Sequence, residues 1–382
     1  MATLVLTTVG TMVGGPIGGA IGAVLGQAID QRLFAPKARH GPRLGDLSVQ
    51  TSAYGSAIPK IFGTMRVAGT VIWSTEIIER RATSGGGKGR PGTVDYSYGA
   101  SFAVALSGRP IAEVRRIWAD GKLLRGAAGD WKAKTGFRFY PGSENQVPDP
   151  LIASAEGTGL APAFRGIAYV MFEELELADF GNRIPSLSFE VVADPGPVTI
   201  GAVAEELSGG ALAAGETPAL AGFAAGGDSV RAAIEDLAGI VPLSIADDGS
   251  QLVISLASEP VQVVAAQEEA GRRKVERRAA ATLPREVTVT YYDAARDYQT
   301  GLQRATAAGG AEARGEQRAL PAVLDAAAAK AIAERRLECL WVGRTSATVT
   351  LGWSRAELRA GTLVELEGEG GMWPSSGRRS GR

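Results

Sequence analysis

The chain has 382 residues with 40 basic and 41 acidic side chains, a formal net charge of −1, so no global field draws it to nucleic acid or anionic lipid. That length accommodates two or three domains, each able to bury its own core. The one cysteine, Cys339, excludes an internal disulfide, a multi-cysteine zinc site and an iron–sulfur cluster built from this chain alone. The one histidine, His40, sits in the Pro/Gly/Arg-rich Ala35–Arg43 stretch, so a histidine-rich metal centre is excluded and any Ser-His-Asp or Cys-His arrangement would have to reach it from a linker.

The first element is the most unusual. Gly14, Gly18, Gly22 and Gly26 repeat every fourth residue within an uncharged stretch from Ala2 to Ile29, and Gly15 and Gly19 double the row. On a helix, residues four apart share a face, so the row forms a groove without side chains along which another backbone can pack. Alone in water such a helix is poor, because each interior Gly costs about 0.5–1 kcal/mol relative to Ala and Pro16 removes a donor. Three readings stay open: an apolar arm buried in an assembly, a membrane-active segment, and a cleaved signal. The length suits a span. Pro16, the threonines at 3, 7, 8 and 11 and the lack of a preceding Lys or Arg count against it.

After the linker, Leu47 to Asp194 reads as β-rich. Ala68–Glu76, Ile111–Trp118, Phe137–Tyr140, Ile167–Phe172 and Leu187–Val192 are predicted strands, and Ser97–Gly108 alternates with Tyr98, Ala100, Phe102, Val104 and Leu106 on one face. Such alternation belongs to antiparallel sheets. Ala119-Asp-Gly-Lys122 has hairpin-turn chemistry. Ala82–Asp95, with Ser84-Gly-Gly-Gly-Lys-Gly-Arg-Pro-Gly92, lacks the Gly-Lys-Ser/Thr ending of a phosphate loop and reads as an exposed flexible loop. Glu173, Glu174 and Glu176 are the carboxylates available for acid–base work, but their Phe172–Phe180 run reads as a solvated face.

Ala193-Asp-Pro-Gly-Pro197 marks a boundary. Beyond it, Ile200–Leu207 and Asp228–Ile240 carry helical spacing, the latter with Asp228 as N-cap, and Gln251–Leu256 reads as a strand. The last third returns to β-structure with Glu286–Tyr292 and Ser346–Trp353, separated by an Ala-rich helix over Pro321–Trp341. Cys339 lies in that helix and reads as a small buried apolar residue. The basic run Gly271–Arg278 lacks interleaved aromatics and reads as a solvated loop rather than a nucleic-acid stripe. Gly361–Glu367 resembles a strand, and the low-complexity Gly368–Arg382 reads as a tail that does not pack or as a truncation.

The fold class is α+β and predominantly antiparallel β. The expected organisation is an arm at 1–36, a β-rich domain at 37–194, a small α/β insertion at 195–260, a second β-rich domain with the Ala-rich helix at 261–367, and a tail at 368–382.

Four stretches together resemble the hub region of phage tail baseplate and tail-tip proteins, the family that includes the multidomain baseplate hub of gene transfer agents. They are the arm Val9–Leu33; Ile58–Trp73, with Ile61-Phe-Gly-Thr-Met-Arg-Val-Ala-Gly69; Tyr96–Leu124, running through Ile117-Trp-Ala-Asp-Gly-Lys-Leu-Leu124; and Phe137–Glu190, with Tyr140–Glu144, Pro148–Leu151 and Phe180–Pro185. Asp297–Gly301 is similar to a further piece of the same region. The resemblance implies a structural, non-enzymatic role without cofactor or metal, with the glycines of the row as assembly residues. It implies a homo-oligomeric ring, a trimer, at the virion tail tip, assembled in the host cytoplasm. Its partners would be the distal tail protein, the tape measure, DNA in passage and the host envelope. Larger relatives carry a glycoside-hydrolase-like barrel that has no counterpart here. The alternative is a membrane-associated protein whose glycine zipper inserts or oligomerises in lipid.

Overall fold

The computed structural model describes residues 57–374 except 85–92, 158, 228, 248, 257–261, 266–267, 270, 308–313, 356–357, 359–362 and 368–371. The glycine row and His40 therefore lie outside the described residues. The first part contains β1 (Lys60–Ala68), β2 (Thr70–Ser74), β3 (Ile78–Ser84), β4 (Thr93–Ser107), β5 (Glu113–Ala119), β6 (Lys122–Arg125), β7 (Gly136–Tyr140), helix α1 (Pro150–Glu156), β8 (Ala168–Glu176) and β9 (Leu187–Val192). Alternation decides their faces. Ala100, Phe102, Val104 and Leu106 of β4 point into a core with Val170 and Phe172 of β8, while Ala103, Tyr169 and Met171 face α1 on the other side. The β5–β6 turn is the two-residue type that the sequence predicts, with Asp120 and Gly121 both at positive φ.

The second part continues with β10 (Val198–Thr199), α2 (Ile200–Leu207), β11 (Leu212–Ala214), β12 (Ala219–Leu220), β13 (Gly222–Ala225), α3 (Val230–Ile240), β14 (Leu243–Asp247) and β15 (Leu252–Leu256). Then come β16 (Gln262–Val264), β17 (Lys274–Arg277), β18 (Glu286–Asp293), β19 (Gln299–Thr306), β20 (Gly315–Val323), α4 (Ala326–Val342), β21 (Thr345–Thr348), β22 (Leu363–Leu366) and β23 (Met372–Pro374). The molecule is α+β with mostly antiparallel pairing.

An eight-stranded sheet in the order β19-β18-β20-β13-β1-β9-β5-β6 forms the frame. Its β1–β9–β5 portion packs on the five-stranded sheet of β2, β3, β4, β8 and β7, burying Ile61, Met65, Ile117, Phe172 and Phe189 between them. Its β13, β18 and β20 strands instead carry α2, α3 and α4, with Phe62, Phe223, Val287, Val289, Leu237 and Ala333 in the second core. β1 belongs to both cores because its successive side chains face opposite sides of the sheet, Ile61 entering one core and Phe62 the other, and along it the pairing passes from β13 at Lys60–Gly63 to β9 at Thr64–Ala68. The exchange happens at Gly63, whose φ is +66° and where a Cβ would stand 2.4 Å from the Ala221 carbonyl oxygen. Only glycine fits both demands.

Several expectations need correction. The Ala-rich helix does not begin at Pro321; Pro321–Val323 close β20, and the proline sits where the β18–β20 register shifts, so no ladder donor is lost. The helix starts at Ala326 beneath Asp325, whose Oδ1 accepts from the Ala328 N–H at 2.7 Å. Cys339 is exposed, being two residues past buried Leu337 and so on the opposite side of the helix. Ser229, not Asp228, caps α3. The predicted strand Ser346–Trp353 ends at Thr348, and Trp353 lies in a short 3-10 turn, 86% exposed, closed by the Arg355 N–H on the Gly352 carbonyl. The basic run is not a loop, because Lys274–Arg277 pairs with Thr345–Thr348. Ala82–Ser84 and Thr93–Asp95 pair as strand ends rather than loop, and Met372–Pro374 of the expected tail pairs with Leu363–Glu365.

Candidate functional site

The conspicuous polar groups of the described residues act as clamps. Asp149, fully buried at the N-cap of α1, accepts from Leu151 N–H at 2.7 Å, from Arg138 Nε and Nη2 at 2.7 and 3.0 Å, and from Tyr140 Oη at 2.8 Å. Burial alone would raise its carboxyl pKa, but the donors from Arg138, Tyr140 and Leu151 outweigh it and hold the group below its usual value. Burial and the neighbouring carboxylate push the Tyr140 hydroxyl up to about 12. This is a carboxylate kept ionised to hold α1 on β7, not a proton donor.

A second clamp lies on the outer side of β1, β9 and β5. Arg116 grips Glu190 at 2.6 and 3.1 Å, Tyr298 Oη donates to Glu190 at 3.3 Å, and Arg66 donates to Ser188 Oγ and to the Asp297 carbonyl. The guanidinium carbons of Arg66 and Arg116 lie 3.9 and 4.9 Å from the Trp118 ring centroid. Asp297 and Tyr298, both at positive φ, form the β18–β19 turn, so the cluster fastens that hairpin to strands from the first part of the chain. A third clamp is Arg109, which reaches Asp194 at 3.0 and 3.1 Å, Glu206 at 2.9 Å and the Ile61 carbonyl at 3.0 Å, and stacks over Phe62. It pins the Ala193–Pro197 stretch between β1 and α2.

The Glu173 cluster does not form an acid–base pair. Glu173 is bound by Arg138 and Glu174 by Arg80, and Glu174 occupies a β-bulge, at φ +54°, where its N–H donates to Ser101 Oγ at 3.0 Å. Among the described residues no group of three or more His, Cys, Asp or Glu side chains is placed to hold a metal. A shallow open depression of about 340 Å³ lies between α4 and β19, lined by Ala307, Lys330, Glu334, Leu337 and Trp341, without a convergent set of reactive groups. No helix among the described residues is long and apolar enough to cross a membrane. Gly14, Gly18, Gly22 and Gly26 lie outside those residues, so the structure brings none of them to a site. The sequence reading did not single out Asp149, Arg109 or Arg116; the Asp-Pro pair opening α1 was the one local signal available.

Residues 229–378 match the family described as "Putative phage tail protein". No curated protein matches the chain. A chain of the virion of a native gene transfer agent particle shares the fold with a TM-score of 0.72 at 30% identity, over 94% of this chain and 91% of that one. A 43 kDa tail protein of prophage MuSo2 from Shewanella oneidensis aligns with a TM-score of 0.32 at 11% identity, over 76% of this chain and 88% of that one. The chain thus shares its fold, at 30% identity and over nearly the full length of both chains, with a gene transfer agent virion component, and this protein belongs to that family of phage tail proteins.

Proposed function

We propose that the chain is the hub subunit of a phage or gene-transfer-agent tail tip. It forms a ring of identical copies, a trimer, that closes the tail tube between the distal tail protein and the tape measure, passes DNA, and meets the host envelope. The observation that carries this reading is the 30% identity to a virion chain over 94% of this one. The clamps support it: arginine–carboxylate locks joining distant strands suit a part that bears load, and no reactive constellation among the described residues suggests catalysis. In this reading 37–194 and 261–367 supply the hub frame with 195–260 set between them, and the row Gly14, Gly18, Gly22 and Gly26 is an assembly surface.

Mass spectrometry and negative-stain imaging of purified particles with an antibody label test the proposal. The chain is expected in particles, with label at the tail tip. Absence from particles, or label along the tube or on the head, would overturn it. Replacing Gly18 and Gly22 by Leu is expected to stop tail assembly, since overpacking a close contact costs about 1–3 kcal/mol per site. Normal particles from that double variant would remove the glycine row from the assembly surface.

A further inference from the structure

Charge is segregated in this nearly neutral chain. Between Pro195 and Pro260 nine acidic residues face a single basic one, Arg231, whereas between Gly271 and Arg278 five basic residues face Glu276 alone. Each of these segments contains a strand with an edge left open by the described residues. Among the described residues β14 pairs only with β15, at the border of the β11-β15-β14 sheet, and β17 pairs only with β21 in a two-stranded ribbon. Unpaired edges present rows of N–H and C=O groups ready to bond another strand.

The side chains on these edges are complementary. Ile245 stands opposite Ile254 and Asp247 opposite Leu252, so Ile245, Leu252 and Asp247 share a face with Ile254, which is buried in the second core; at the rim of that face Ile245 is 46% and Leu252 44% exposed. On the ribbon, Val275 stands opposite Ala347 and Arg277 opposite Thr345, so Val275, 46% exposed, shares a face with Arg277. Arg272 and Arg277 have no carboxylate partner among the described residues, whereas Lys274 is paired with Glu276. An apolar edge residue flanked by a carboxylate, Ile245 with Asp247, and an apolar edge residue flanked by a guanidinium, Val275 with Arg277, are matching halves of one contact.

We infer that β14 of one copy pairs edge to edge with β17 of the next, head to tail. An in-register parallel pairing sets Ile245 beside Val275 and Asp247 beside Arg277. Two different patches on one chain make a heterologous contact, which closes into a ring when the rotation allows. The inference rests on the ring proposed above and supplies its interface.

The test is sedimentation of the full chain over a concentration series at low and high salt, with circular dichroism and a melting curve for each variant. Ile245→Lys sets a cation against the basic ribbon, and Val275→Glu sets an anion against the acidic sheet. Each is expected to weaken self-association about tenfold or more while leaving the melting curve unchanged. The double variant, which creates a Lys–Glu pair at the same place, is expected to recover association, and salt to weaken the wild-type contact. Single variants that associate like wild type, or a double variant that stays dissociated, would overturn this contact and leave the ring proposal standing on another surface. A wild-type chain that stays monomeric at every concentration and salt would overturn the contact and the ring together.

Discussion

Gly63 and Asp149 show how much a single side chain can decide. At Gly63 a methyl group would meet both an unfavourable φ and the backbone of the adjoining strand, so Gly63→Ala is expected to destabilise the protein by more than the roughly 1–3 kcal/mol of backbone strain alone. Urea denaturation would measure it. Asp149→Asn removes one of the two carboxylates that hold Arg138, Glu173 being the other, and weakens the charge-assisted bonds from Arg138, Tyr140 and the α1 cap, so it is expected to cost about 1–3 kcal/mol. The sign of its pH dependence follows from the lowered carboxyl pKa: the stabilisation is present above the unfolded value near about 4 and is lost as pH falls through the folded value. Urea midpoints at about pH 5 and about pH 3 should therefore differ more for wild type than for Asp149→Asn.

Elements with a full apolar stripe and a clear cap were legible from the sequence, and those without were not. Leu187–Val192 and Ile200–Leu207 have the ends that the sequence predicts, because six consecutive buried residues make the first and Thr199 caps the second. β17 gave no periodicity to read since all four of its residues are exposed, and β11, β12 and β13 are only two to four residues long. β20 was hidden by Pro321, and α1 by its seven-residue length. The clamps were illegible for another reason: Arg66 meets the Asp297 carbonyl across 231 positions, which no local pattern signals. For α4, Asp325→Ala should lower stability by about 1 kcal/mol with an unchanged denaturant slope, because the helix loses one capping bond and no core contact.

At the scale of the molecule, the described residues build four buried clusters. In the hub reading the charge-free glycine row serves assembly, so deleting residues 2–29 is expected to leave the cooperative unfolding transition in place; its collapse would show that the arm is part of a core. The partner exchange along β1 also sets an order of events during synthesis. One side of that strand can be satisfied once Val192 has emerged, but Lys60–Gly63 must wait for Gly222–Ala225, and β13 in turn waits for Ala322 and Val323. The ribosome thus delivers a sandwich with one open flank long before the strands that cover it. At about 5–20 residues per second the nascent flank stays bare for several seconds, a window in which a chaperone, or a sister chain on the same message, is the nearest thing to bond.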